Sequence, residues 1–218
     1  MDDLTAAVEF ASNPDPRCPC VLLLDTSASM GGAPMAALNA GLLAFQTDLQ
    51  QDSLAQRRVE VAVVTFGEGG VQVRQDFVTA GQFEAPALQA GGQTPMGAAI
   101  TQALDMVGAR KATYKANGVA YYRPWVFLIT DGEPTDEWQA AASRVRAEEA
   151  ANGLAFFAVG VAGANLPRLA QIAVRPPVQL AGLQFVELFV WLSRSQQRVS
   201  SAQVGEQTAL PPIGWSAV

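Results

Sequence analysis

The sequence predicts a doubly wound, Rossmann-like α/β fold: a mostly parallel six-stranded sheet with one antiparallel edge strand and helices on both faces. Three observations carry this. The runs VLLL at 21–24 and WVFLIT at 125–130 are apolar without alternation, as strands covered on both faces must be. Strand-like and helix-like segments then alternate along most of the chain, which calls for parallel strands joined by helical crossovers. Finally, VEVAVVTF and VQVRQDFVT are separated only by GEGG, short enough for a hairpin and hence for one antiparallel edge.

The elements follow in order. After the first strand, Met35, Leu38, Leu42, Phe45 and Leu49 recur at helical spacing, and Pro34 suits a first turn. The second and third strands are expected at 59–66 and 71–79, and residues 80–93 read as loop. A helix starts near Thr94, a candidate cap, with Pro95 at its first position and Ile100, Leu104 and Val107 on one face. KATYKANGVAYYRP then reads as connection, with Tyr121, Tyr122 and Trp125 as a packing cluster that anchors a loop. The fourth strand is WVFLIT, and a helix over about 137–151 closes at Asn152-Gly153. LAFFAVGV is the fifth strand, NLPRLAQIA a short helix, PVQLAG an edge strand, and FVELFVWLSRSQQRV a final helix whose Phe185, Leu188, Phe189 and Leu192 cover the sheet. One domain over residues 1–218 is expected, with 201–218 a tail that Ile213 and Trp215 lay back on its body.

Composition narrows the function. Fourteen basic against twenty acidic residues, a net charge of −6, argue against a broad nucleic-acid footprint. No apolar stretch is long enough for a bilayer, and MDDLTAAVEF carries acids where a secretory signal would carry bases, so a cytoplasmic protein is expected. The chain has no histidine, which removes the commonest general base and every Ser-His or Cys-His couple. Cys18 and Cys20, just before the first strand, lack further zinc-type ligands and are expected to be reduced and structural.

The chemistry collects at two strand ends. LLLD and FLITD close the first and fourth strands on Asp25 and Asp131, and in a doubly wound sheet these ends open into the crevice where the winding reverses. In DTSAS, an extended segment points Asp25, Ser27 and Ser29 the same way. Thr94 arrives behind Gly91-Gly92-Gln93. Two carboxylates and three hydroxyls form an oxygen-only set suited to magnesium, with calcium or manganese as alternatives. The competing reading of Ser29 is a helix cap. An enzyme alternative, metal-dependent phosphoryl transfer with Asp25 as nucleophile, lacks its acid because position 27 is serine. Ser29-Met30-Gly31-Gly32 could cradle an anion, but no phosphate-loop pattern follows the strand. On the rim, Glu133 and Asp136 read as solvated acids, with Glu133 able to attract a basic group, while Trp138 either packs under the loop or borders the crevice.

The D-x-S-x-S pattern, a distant Thr and a later T-D-G together resemble the metal-ion-dependent adhesion site of von Willebrand factor A (VWA) domains. GGQTPMGAAITQAL, YYRPWVFLITDGEPTDEW, FFAVGV, FVELFVWLS and the terminal GW are similar to the bacterial TerY/YegL branch, associated with tellurite resistance and related stress loci. Ala28 stands where many such domains have glycine. The resemblance implies binding and not turnover: Asp25, Ser27, Ser29, Thr94 and Asp131 as metal ligands, Glu133 and Trp138 as a partner-binding rim, and a protein partner whose Asp or Glu completes the coordination. It further implies an adaptor or scaffold in phosphorylation-linked stress signalling, with a kinase or phosphatase as partner; the charge and the lack of a long apolar stretch leave neither nucleic acid nor membrane as an expected partner.

Overall fold

In the computed structural model, which describes residues 10–216, the strands are β1 (Cys18–Thr26), β2 (Val59–Gly67), β3 (Gly70–Thr79), β4 (Trp125–Thr130), β5 (Ala155–Gly160) and β6 (Val178–Gln179). They form one sheet in the order β3-β2-β1-β4-β5-β6, parallel throughout except for β3, which runs antiparallel to β2. The helices are α1 (Ala33–Gln50), the single turn α2 (Ala55–Arg58), α3 (Met96–Ala116), α4 (Gln139–Ala150), α5 (Leu166–Ile172) and α6 (Phe185–Ser201).

The unalternating apolar run of β1 is explained by burial on both sides. Cys18, Cys20, Leu22 and Leu24 face the core beneath α1 and α6, while Val21 and Leu23 face the core beneath α3, α4 and α5. Each leucine fully withdrawn from water contributes about 1.5–3 kcal/mol. The two cysteines are free and buried within β1, not ahead of it; Cys18 Sγ donates to Gln196 Oε1 at 2.9 Å, and burial pushes both thiols up, so they stay protonated.

Two boundaries differ from the sequence expectation, for long-range reasons. Helix α3 runs through Gly108 to Ala116, because Arg110 and Tyr114 on its later turns reach Glu60 on β2. Glu60 is fully buried and is gripped by Arg17 Nε at 2.9 Å, by Arg110 Nε and Nη2 at 2.8 Å each, and by the Tyr114 hydroxyl. The Phe10 ring lies 5.2 Å from both guanidinium carbons and covers the cluster. Helix α2 was not legible as a helix; Asp52 Oδ1 builds it by accepting from the backbone N–H of Leu54 (2.9 Å) and Ala55 (2.8 Å).

At the amino end of the sheet Tyr122 and Trp125 are buried, and Tyr122 Oη lies 2.6 Å from the Ala202 carbonyl, so these aromatics do pack. The tail crosses the sheet face: Trp215 is buried, Trp191 Nε1 donates to the Pro211 carbonyl at 2.8 Å, and Ala181 N donates to the Trp215 carbonyl at 2.9 Å. Ile213, expected to be covered, is 46% exposed. The acids at positions 2 and 3 and the last two residues lie outside the described residues. Among the described residues no helix is long and apolar enough to cross a membrane.

Candidate metal centre

Strands β1 and β4 are neighbours, so the carboxylates at their carboxyl ends, Asp25 in the last pairs of β1 with β2 and Asp131 just after β4, share one crevice. Asp25 is its floor, with no solvent exposure. Its Oδ1 accepts from Ser27 N at 2.8 Å and its Oδ2 from Thr130 Oγ1 at 2.5 Å. Ser27 Oγ lies 3.0 Å from Ser29 Oγ, and Ser29 Oγ donates to Asp131 Oδ1 at 2.7 Å. Burial rises from rim to floor: Ser29 is exposed, Asp131 half-buried, and Thr94 and Ser27 nearly closed off.

Thr94 is held there by two clamps that the sequence did not reveal. Its loop is tied to the DTSAS loop by Gly91 N to the Thr26 carbonyl (2.8 Å) and Ala28 N to the Gly92 carbonyl (3.1 Å). Gly92 has φ +75°, and a Cβ there would come within 2.6 Å of Glu68 backbone atoms, so only glycine permits this approach. On the other side, Thr94 N donates to Thr135 Oγ1 (3.1 Å) and Thr135 N to the Thr94 carbonyl (2.9 Å).

Thr94 is not the cap of α3. The helix begins at Met96, and its first free N–H groups, at Gly97 and Ala98, donate to the two carboxylate oxygens of Asp136 at 2.9 and 2.8 Å. Asp136 is therefore a structural acid and not a solvated one, and with a carboxylate capping the helix the Thr94 side chain is released to the crevice. Nor does Ser29 cap α1, which starts at Ala33; Ser29 sits in a 3-10 turn over Ala28–Met30.

The rim residues are also committed. Glu133 accepts from Arg168 Nε at 3.0 Å and from the Asn165 amide, so its charge is already answered within the chain. Trp138 is half-buried and packs against the core beneath α3 and α4, with the Arg168 guanidinium carbon 5.0 Å from its ring centroid. Arg168 was missed because only the fold brings α5 beside the loop after β4. Beyond Thr26, a polar cavity of about 340 Å³ lined by Glu68, Gln72 and Arg74 opens toward the β2–β3 hairpin.

The donor set fits a small hard cation. Among the described residues no three of His, Cys, Asp and Glu gather as a metal group, so the fit rests on two carboxylates joined by hydroxyls. A methyl at Gly132 would lie 3.3 Å from Thr94 Oγ1 and 3.6 Å from Asp25 Oδ2, which locates both oxygens around one small cradle. Burial and the nearby charge of Asp131 push the Asp25 carboxyl up, against the opposing hydrogen bonds from Ser27 and Thr130. A cation would relieve both costs.

A pH effect follows for the ion-free protein. From about pH 4 upward, folded Asp25 retains a proton that the unfolded chain has released, so stability is full below that range and falls as pH rises through the raised value. Asp25→Asn should flatten this slope and raise the ion-free melting temperature at neutral pH. Thermal melts in chelator across pH 4–8 check it; a steeper decline in the variant would show that the slope does not originate in Asp25.

The sheet order, the strand-end crevice and its oxygen cluster define a domain of the VWA class. The von Willebrand factor type A domain family model matches residues 20–181, and the chain belongs to that family. Among solved structures, the pilus adhesin SpaC from Lactobacillus rhamnosus GG is similar at 16% identity and TM-score 0.66, over 85% of this chain and 31% of that one. Proximal thread matrix protein 1 from the mussel byssus is similar at 17% identity and TM-score 0.54, over 84% of this chain and 48% of that one. Manganese-loaded TRAP protein from Plasmodium vivax is similar at 17% identity and TM-score 0.54, over 80% of this chain and 73% of that one. The chain thus spans about a third of the pilus adhesin and half of the byssus protein. No curated protein matches significantly.

At such identities the likeness concerns the fold. The cytoplasmic expectation is corrected: the similar structures include a pilus adhesin and a byssal-thread matrix protein, which are not cytoplasmic, and the acids near the start of the sequence do not assign a compartment.

Proposed function

We propose that the chain is a protein-binding module whose crevice holds a divalent cation, magnesium first and calcium or manganese as alternatives, through Asp25, Ser27, Ser29, Thr94 and Asp131. The observation that carries this reading is the unbroken run of contacts from buried Asp25 through Ser27 and Ser29 to Asp131, with Thr94 at the same cradle. Manganese loading of the related TRAP protein supports it by analogy. When bound, the ion supplies a coordination position that a partner's Asp or Glu can fill. The chain's own part is to seat Asp25 at the floor with both oxygens engaged and to hold Thr94 between two stitched loops. The Glu133–Arg168 pair stands beside the opening, where it can select among partners without contributing net charge.

Finer assignments rest on the resemblance to the TerY/YegL branch: a scaffold role in tellurite-resistance or stress-linked phosphorylation, with a kinase or phosphatase as the acidic partner. Phosphoryl transfer from Asp25 is disfavoured, because both its oxygens accept hydrogen bonds and Ser27 stands where a proton donor is required. A pull-down from lysate of the source cells, run in magnesium and in chelator, tests the reading. Partners should be retained only with magnesium and lost with Thr94→Ala; equal retention in all three conditions would place the interface elsewhere.

A further inference from the structure

Beneath the tail, two cavities adjoin on the face of β4 and β5, far from the oxygen cluster. The outer one, about 620 Å³, has Tyr122, Arg123, Trp125 and Arg175 in its walls, and the inner one, about 170 Å³, is lined by Phe127, Val159, Trp191 and Trp215. Phe157, Arg175 and Leu210 belong to both, so the apolar chamber meets the outer cavity at a guanidinium. Phe127 and Phe157 stack at 4.5 Å, and the Arg175 guanidinium carbon sits 5.1 Å from the Phe157 ring centroid. The combined size is that of small-molecule sites, about 300–1,000 Å³, with the aromatic wall on the inner side and the polar groups gathered in the outer cavity.

Around the junction two guanidiniums meet one buried and one exposed carboxylate. Glu149 is the buried carboxylate here; its Oε2 accepts from Arg123 Nη2 at 2.8 Å, its Oε1 pairs with Arg175, and Oε1 also accepts from Phe156 N at 2.5 Å. One buried carboxylate thus serves two guanidiniums beside an aromatic chamber. The other acid in the wall, Glu206, is on the exposed tail, where it accepts from Gln203 N at 3.0 Å. Trp215, in the wall of the inner cavity, has its indole N–H buried without an acceptor among the described residues.

We propose that these cavities bind an amphipathic monoanion, a carboxylate on an acyl or aryl body. Its carboxylate pairs with Arg175, whose planar guanidinium suits that group, beside Arg123, which is already held by Glu149 and the Leu154 carbonyl, and its apolar body fills the chamber of Phe127, Phe157 and Trp191. Leu210 on the tail closes the junction from outside. The site is independent of the metal reading.

Calorimetric titration of the whole chain in chelator, with decanoate, 2-naphthoate and decanol as probes, tests it. At least one carboxylate should bind saturably at one per chain, and which of the two does so tells an acyl from an aryl body. Decanol should bind about tenfold more weakly than decanoate if the acyl body is preferred, since a charged hydrogen bond is lost. Arg175→Gln should weaken the carboxylate by about tenfold while leaving decanol unchanged. Glu206→Gln should tighten it, and Leu210→Trp, filling the junction, should abolish it. No saturable heat from either carboxylate, or equal affinity of Arg175→Gln and the parent for the carboxylate that binds, would overturn the proposal; the tail variant supplies an independent reading should Arg175→Gln fold poorly.

Discussion

Glu60→Ala should be among the most destabilising single substitutions in the chain, lowering stability by about 3–5 kcal/mol. The carboxylate is fully buried on β2 and answers two guanidiniums and a phenol at once, from Arg17 ahead of the sheet and from Arg110 and Tyr114 on α3. Removing it takes the shared carboxylate away from two guanidiniums in the interior, which costs far more than the intact cluster contributes relative to an apolar replacement. For a chain of this length the melting temperature should fall by roughly 2–4 °C per kcal/mol. Since the cluster lies at the amino end of β2 and the oxygen crevice at the carboxyl ends of β1 and β4, cation affinity measured well below the melt should be unchanged. Thermal and denaturant melts beside a metal titration separate the two effects, and a variant as stable as the parent would show that the cluster is not a structural anchor.

Asp131→Ala should act in the opposite way, with small effect on the fold and large effect on the cation. Asp131 is half-buried and its described partner is the exposed Ser29 hydroxyl, so its loss opens no core cavity and removes a like charge from Asp25. The crevice loses one of only two carboxylates. A fall of at least about 10–100-fold in divalent-ion affinity is expected, the range seen for lost ligand support around metals, together with an ion-free melt equal to or above the parent's. Unchanged affinity would remove Asp131 from the ligand set.

How much of this could be read from the sequence divides along local and long-range lines. The strands were legible because β1 and β4 bury both faces and so carry no alternation, and the crevice was legible because each of those runs stops on a carboxylate. The order of the sheet, with β1 beside β4, follows from connection rules that need no side-chain detail. What escaped was set by partners distant in the chain. Glu60 looked like one charge within VEVAVVTF, because its partners are 50 and 54 residues on in α3. Asp136 looked solvated because the N–H groups it caps belong to a helix some 38 residues earlier. Glu133 looked free because Arg168 is 35 residues later, on the far side of β5 in sequence. In each case the side chain's role is fixed by topology, and no local period records it.

The central claim is that five oxygens from three loops form one divalent-cation site. Thr94→Ala tests it most directly, because it removes a hydroxyl that carries no charge and that, freed from capping by Asp136, faces the cradle at Gly132. Calorimetric titration of magnesium and manganese into the ion-free parent and this variant is the decisive measurement. One ion per chain in the parent, and affinity lower by about 10–100-fold in the variant at an equal ion-free melting temperature, is the expected result. No saturable binding in the parent, or equal affinity in the two proteins, would contradict it.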